Sequence, residues 1–279
     1  MSTTRVAASE HPYRTATFGR IVCGINGSRA DAEAVRQAAV LSGSEGKLEI
    51  VCVIGTMGFG PTAQASIAPT RAETAMDHAE LEVKELGVHP RTCIVQGSSP
   101  WRSLARFAGE ADLLVLGSRG GSRAGGIALG SVATEAVHRA SLPILIARPG
   151  ADTFPASILL ASDGSPGSRE AAELAIRIAR VHRSSVTLLT AGDVDAGQRR
   201  ELALQAAEIG QATGKEPLVV TSGESPRAAI VRHAETERPS LVVLGSSGKS
   251  GVRALGSVGE HIAHEVSSSV LVARGRARD

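Results

Sequence analysis

Short apolar runs alternate with longer amphipathic stretches along almost the whole chain, and the alternation occurs twice. In the first half the runs predict strands near 20–25, 48–54, 90–96, 112–117 and 143–148, with helices near 29–42, 70–86, 100–109 and 131–140. In the second half they predict strands near 157–162, 185–191, 217–221, 240–245 and 268–273, with helices near 166–181, 195–212, 226–236 and 257–266. Ala171, Leu174, Ala175 and Ile178 recur at three and four residues, the stripe one buried helix face requires. Helix starts are marked as well. Ser99-Pro100 and Ser225-Pro226 place serine at the N-cap and proline at the first helical position. Ser257 and Glu260 have the spacing of a capping box.

The halves are copies of one unit. RIVCGINGS (20–28) answers to SILLASDGS (157–165), and DLLVLGSRG (112–120) to SLVVLGSSG (240–248). LGSVATEAVHRASLPILIAR (129–148) answers to LGSVGEHIAHEVSSSVLVAR (255–274). Asn26 and Asp163 stand 137 residues apart, Gly117 and Gly245 128, Gly130 and Gly256 126, so the second copy is nine residues shorter in its middle and two shorter in its glycine loop. Strands alternating with helices imply right-handed crossovers and a mostly parallel sheet covered on both faces. Runs such as LLVL and LVVL suit strands buried on both sides. The expectation is two tandem α/β domains, each a doubly wound, five-stranded parallel sheet, at 20–148 and 157–274. A flexible leader (1–19) precedes them and a Pro- and Gly-bearing linker (149–156) joins them.

Composition narrows the function. Apolar residues make up 42% of the 279 and charged residues 21%, enough to build packed cores. Aromatics at 2% argue against a stacking platform for single-stranded nucleic acid. Thirty Lys and Arg against 28 Asp and Glu leave no general nucleic-acid footprint. No apolar run approaches the roughly 18 residues of a membrane helix, and the N-terminus has no apolar signal core, so a cytoplasmic protein is expected. Cys23, Cys52 and Cys93 lie in apolar strand-like runs without a CxxC spacing. They read as buried thiols in a reducing compartment rather than as a disulfide framework or zinc site.

In sheets of this kind ligands bind beyond the carboxyl ends of the strands, where strand order reverses. Asn26 and Asp163 end the first strands; each can take a ribose hydroxyl or base edge, or close an Asx turn before the next helix. Gly117-Ser118-Arg119-Gly120 is followed by nine residues and Gly130-Ser131. Gly245-Ser246-Ser247-Gly248 is followed by seven and Gly256-Ser257. Glycines leave backbone amides open to an anion, and a helix start favours phosphate. Ser131 and Ser257 can equally cap their helices. Val53 and Ala191, at the ends of the second strands, offer a flat apolar rest for a base. Gly248-Lys249-Ser250 mimics the end of a Walker A loop, but position 243 is valine where that loop needs glycine. Arg119, Arg123, Lys249 and Arg253 can neutralise phosphate or stand solvated. His261 and His264, beside Glu260 and Glu265, lack a third ligand and read as solvated side chains, not a metal site. His138 and His182 show no constellation. No nucleophile–base pair accompanies the glycine loops, so no catalytic residue is assigned.

The G-x2-G-x9-G-S spacing of Gly117, Gly120, Gly130 and Ser131, between a V-L-G strand and a helix leading to P-I-L-I, resembles the universal stress protein family, as do the I-N-G-S and S-D-G-S turns. The likeness covers 20–148 and 157–274 and makes the chain a tandem member. It implies flavodoxin-like domains with strand order 3-2-1-4-5, and ATP, alone or with Mg2+, as in the family's ATP-binding branch. It implies adenosine at Gly24, Asn26 and Val53, and phosphates at Gly117, Ser118, Arg119, Gly120, Gly130, Ser131 and Val132. The matching set in the second half is Ala161, Asp163, Ala191, Gly245, Ser246, Gly248, Gly256, Ser257 and Val258. Asn26 departs from the family's usual Asp, and the second glycine loop is short. The fifth strands of two units usually pair, here within one molecule, and a homodimer is expected besides. The function implied is a cytosolic stress-response regulator whose ATP occupancy is read by an unidentified protein partner. The alternatives are a slow ATPase and a nucleotide-free scaffold.

Overall fold

The computed structural model describes residues 15–55, 69–118, 129–150, 153–246 and 257–274. The first half contains β1 (Arg20–Ile25), α1 (Ala30–Ser42), β2 (Lys47–Gly55), α2 (Pro69–Lys84), β3 (Arg91–Gly97), α3 (Pro100–Phe107), β4 (Leu113–Gly117), α4 (Ser131–Arg139) and β5 (Ile144–Ala147). The second contains β6 (Ser157–Ala161), α5 (Pro166–His182), β7 (Ser185–Ala191), α6 (Ala196–Thr213), β8 (Leu218–Ser222), α7 (Pro226–Glu237), β9 (Leu241–Gly245), α8 (Ser257–Glu265) and β10 (Ser269–Ala273). Every predicted element is present, with ends shifted by at most two residues.

Local signals account for the helix starts. The Ser99 hydroxyl accepts from the Arg102 amide ahead of Pro100, and that of Ser225 accepts from Ala228 ahead of Pro226. Two further caps went unread in the sequence: Ser165 caps α5, and Asp195 with Gln198 forms a capping box on α6. Ala171, Leu174, Ala175 and Ile178 are all buried.

The strands form one ten-stranded sheet in the order β3-β2-β1-β4-β5-β10-β9-β6-β7-β8. Each half is parallel with the expected order 3-2-1-4-5. The halves meet at β5 and β10, which pair antiparallel with Leu145 opposite Leu271. That pairing places a local two-fold between the halves and joins two sheets into one. Both cores are continuous across it. On one face Ile21, Cys23, Leu145, Leu271, Leu160 and Ile178 belong to a single buried cluster beneath α1, α2, α5 and α6. On the other face Val22, Leu114, Ile144, Val270, Leu244 and Ile262 belong to a second, beneath α3, α4, α7 and α8. Cys23 and Cys52 are buried among these apolar groups, and burial pushes both thiols up, that of Cys52 to about 11. They are inert at neutral pH.

The halves also touch outside the sheet. Thr17 and Phe18, which the sequence reading assigned to the leader, are buried. The Thr17 amide donates to Leu41 O (2.9 Å), and its hydroxyl is hydrogen-bonded to His182 Nε2 at the end of α5 (2.8 Å). The Arg177 guanidinium lies over the Phe18 ring. His182 therefore has a partner that its sequence neighbourhood did not show. Burial pushes its imidazole down from 6.5 to about 4. Below pH 6.5 the unfolded chain takes up this proton before the folded one does, so the stability present above pH 6.5 drains away as pH falls toward 4. The expected loss is about 2 kcal/mol by pH 5. Urea unfolding across pH 7 to 4.5 should show it, and His182→Gln should flatten that part of the profile; an unchanged slope refutes the assignment.

Candidate functional site

The reversal of strand order in the first half lies between β1 and β4, where Gly24 stands opposite Leu116. β2 flanks β1 on the other side, with Ile25 opposite Cys52. The carboxyl ends of β2, β1 and β4 therefore set Val53, Asn26 and Gly117–Ser118 along one edge of the sheet. In the second half β7, β6 and β9 do the same for Ala191, Asp163 and Gly245–Ser246.

The first-strand turns are built alike. Asn26 Oδ1 accepts from the Ser28 amide (3.1 Å) and Asp163 Oδ1 from the Ser165 amide (3.0 Å), so both residues close Asx turns. Gly27 and Gly164 follow at φ 72° and 71°, the left-handed region only glycine enters freely. The second helix of each half holds its turn from outside: Arg71 donates to Gly27 O (3.0 Å) and Gln198 to Asp163 O (2.8 Å).

One residue of this turn escaped the sequence reading. In the first half the Asp31 carboxylate folds back from the first turn of α1 onto the amides of Asn26 and Ser28 (both 2.9 Å) and the Ser28 hydroxyl (3.1 Å). Burial nonetheless holds its carboxyl above the usual carboxylate range. Ser168 occupies the equivalent place in the second half. Each turn thus carries one carboxylate, Asp31 in one half and Asp163 in the other. An aspartate five residues after Asn26 was the available signal.

Two predicted glycines have reasons of their own. A Cβ on Gly117 would lie 2.8 Å from Ala30 O, and one on Gly245 2.5 Å from Gly167 O, because each strand end abuts the first turn of its own half's first helix. Gly24 faces Leu104 and Leu116, which a Cβ would meet at 2.7 and 2.8 Å. At Gly117 and Gly245 the close atoms are backbone, so packing alone requires glycine; at Gly24 they are leucine methyl groups, which can turn aside. Gly130 is different: among the described residues nothing lies within 4 Å of where its Cβ would be, and its φ of −69° suits any residue.

Gly130 is the N-cap of α4, and no side chain caps that helix. Ser131 is the first helical residue and is exposed. The capping alternative for Ser131 is therefore not what the structure shows. Leu129 and Val132 anchor this start against the core on the α3 face, the same core that holds Val53. Ser118 is buried, its amide donating to Ala147 O (3.0 Å). In the second half Ala161, Ala191 and Val258 pack at the edge of the same core, and Ser246 is buried. Arg119, Gly120, Gly248 and Gly256 lie outside the described residues, as does the side chain of Ser257.

A cavity of about 580 Å³ opens between α1 and α2, lined among others by Ser28, Asp31, Arg71, His78 and Glu82. It is on the opposite face of the sheet from Val53 and α4. In the second half Arg169, where the first has Ala32, spans the matching groove to Glu201 (2.5 Å) and Glu208 (2.9 Å). His138 meets Glu260 across the junction (3.3 Å), and Arg227 holds Glu265. Among the described residues no three His, Cys, Asp or Glu gather to hold a metal, and no helix is long and apolar enough to cross a membrane.

The model of the universal stress protein family matches residues 17–148 and again 156–274. Universal stress protein Rv2005c of Mycobacterium tuberculosis is 31% identical over 206 residues, which are 63% of this chain and 66% of that protein. A universal stress protein of Mycolicibacterium smegmatis is 28% identical over 207 residues, 65% of this chain and 68% of that one. The chain thus spans about two thirds of the length of these curated relatives, and just under that for the first. In fold it is similar to the crystal structure of a universal stress protein from Archaeoglobus fulgidus, with TM-score 0.73 over 93% of this chain and 99% of that one at 18% identity. With the family pattern matched in both halves and its α/β architecture repeated across a shared sheet, the chain belongs to the universal stress protein family as a tandem member.

Proposed function

We propose that this chain is an ATP-binding regulator of the stress response that acts in the cytoplasm, through a protein partner that reads its nucleotide occupancy. The observation that carries this reading is the start of α4: among the described residues no side chain caps this helix N-terminus, and none explains the missing Cβ of the glycine before it. Such an end offers unpaired amides and the positive pole of the helix dipole to phosphate. The donor set fits a nucleotide. Gly130, Ser131 and Val132 hold the phosphates, together with Gly117, Ser118, Arg119 and Gly120, while Asn26 and Val53 face adenosine, with Gly24 beneath them in the sheet. In the second half Asp163, Ala161 and Ala191 take adenosine, and Gly245, Ser246, Gly248, Gly256, Ser257 and Val258 the phosphates. ATP supplies the charge that these groups read, alone or with Mg2+. Binding favours whichever arrangement of the glycine loops holds it better, and that difference is what a partner detects.

The fifth strands are already paired within the chain. A homodimer must therefore use another surface, and the β8 edge carries two adjacent apolar side chains, Leu218 and Val219, each more than half exposed.

Freshly purified chain, denatured and analysed by mass spectrometry, should release an adenine nucleotide, and calorimetry on stripped chain should show ATP uptake. Neither nucleotide nor heat would leave the scaffold reading standing. Steady phosphate release abolished by Gly130→Asp would make it an ATPase instead.

A further inference from the structure

Among the described residues two arginines are buried, Arg148 at 3% exposure and Arg274 at 8%, and they occupy equivalent places. Each is the first residue after its half's fifth strand. The guanidinium hydrogen bonds of both go to main-chain carbonyls in the other half. Arg148 donates to Ala263 O in the last turn of α8, to Val266 O just past its end, and to Ser268 O (3.1 Å) in the turn that leads into β10. Arg274 donates to Val137 O, in the last turn of α4. Burial pushes both groups down, Arg148 to about 10, which leaves Arg148 charged at neutral pH. A cation at a helix C-terminus meets unpaired carbonyls and the negative pole of the dipole.

The helices so held are the two that begin at the Gly-Ser steps. Each has nine residues and is about 14 Å long. A rod that short transmits the position of one end to the other. The arginines are also tied to their own halves at the glycine strands: Ala147 stands opposite Gly117 and Ala273 opposite Gly245, each one residue before the arginine. Ser269 Oγ accepts from the Arg148 amide (3.0 Å), fixing that residue at the junction.

We infer that the halves position each other's phosphate sites: Arg274 is a positioning residue for the site at the start of α4, and Arg148 for the site at the start of α8, each pinning the far end of that helix. The inference rests on the nucleotide reading above. It makes neither half a complete binding unit, because the residue that sets its phosphate helix comes from the other half.

The test uses the full-length chain with ATP as probe. Gly256→Asp isolates the first site and Gly130→Asp the second. Arg274→Met should weaken ATP at the first site by about tenfold and leave the second within about twofold; Arg148→Met should do the reverse. Arg274→Lys, which keeps a cation near Val137 O, should recover most of the loss. Hydrogen exchange in Arg274→Met should quicken in residues 131–139 and not in 257–265. Equal losses at both sites, a loss confined to the arginine's own half, or a lysine variant no better than methionine would overturn the inference. Should unmodified chain take up no ATP at all, the nucleotide reading fails. The exchange pattern then decides the pinning by itself: quickening confined to α4 sustains it, and uniform quickening ends it.

Discussion

Gly130→Asp is expected to abolish ATP binding in the first half without disturbing the fold. The backbone there is extended, and no described residue comes within 4 Å of the missing Cβ, so an aspartate fits. Aspartate is also among the favoured N-cap residues, because its carboxylate accepts from the amides of the first turn. Those are the amides assigned to phosphate. The variant would supply its own anion, as Asp31 already does on the amides of Asn26 and Ser28. A triphosphate would then meet both a filled site and a like charge. ATP affinity at the first site should fall by at least about 100-fold, or about 2.7 kcal/mol. Calorimetry with the second site disabled by Gly256→Asp measures it. Gly130→Ala, which adds a Cβ and no acceptor, should stay within about threefold of the unmodified chain. Undiminished binding by Gly130→Asp would remove the helix start from the site.

The largest stability effect is expected at Gly245→Ala, from a single added methyl group. Its carbon would lie 2.5 Å from Gly167 O and 2.7 Å from Gly167 C, both backbone atoms in the first turn of α5. Neither can rotate away, so β9 or α5 must shift. α5 packs Ala171, Ala175 and Ile178 into the core beside β9, and moving it loosens that core. Overpacking of this kind costs about 2–3 kcal/mol, read as a lowered urea midpoint at unchanged slope. Gly223→Ala, with nothing within 4 Å of the new carbon, is the control and should be nearly neutral. Gly117→Ala should follow Gly245→Ala, since Ala30 O stands 2.8 Å from its added carbon. Substitution at Gly117 therefore confounds binding with folding, whereas Gly130 separates them.

Much of the architecture was legible in the chain itself. Strand and helix periods, the Ser-Pro caps at 99–100 and 225–226, and the paired Asx-Gly-Ser turns depend on residues a few positions apart. That range is the one over which propensity and capping act. Duplication then made the two glycine loops visible as a repeated device, and the family's match to both halves follows from the same repeats. The site was legible only as a set of positions. That Gly117 and Gly245 are glycine because of α1 and α5, while Gly130 is not so constrained, required the packed structure. Sequence could not separate a glycine kept for a ligand from one kept for a neighbouring helix, since both look the same in one dimension.

What the sequence alone determined is the repeated βα unit, its strand order by resemblance, and where each helix begins. Tertiary structure alone decided the fused ten-stranded sheet and the partners of its polar groups. His182 with Thr17, His138 with Glu260, Arg148 with α8 and Arg274 with α4 join residues more than 110 positions apart. No local pattern encodes such pairs. They form because the antiparallel meeting of β5 and β10 carries both fifth-strand ends across the local two-fold, where a buried arginine must find carbonyls and the other half's helix end supplies them.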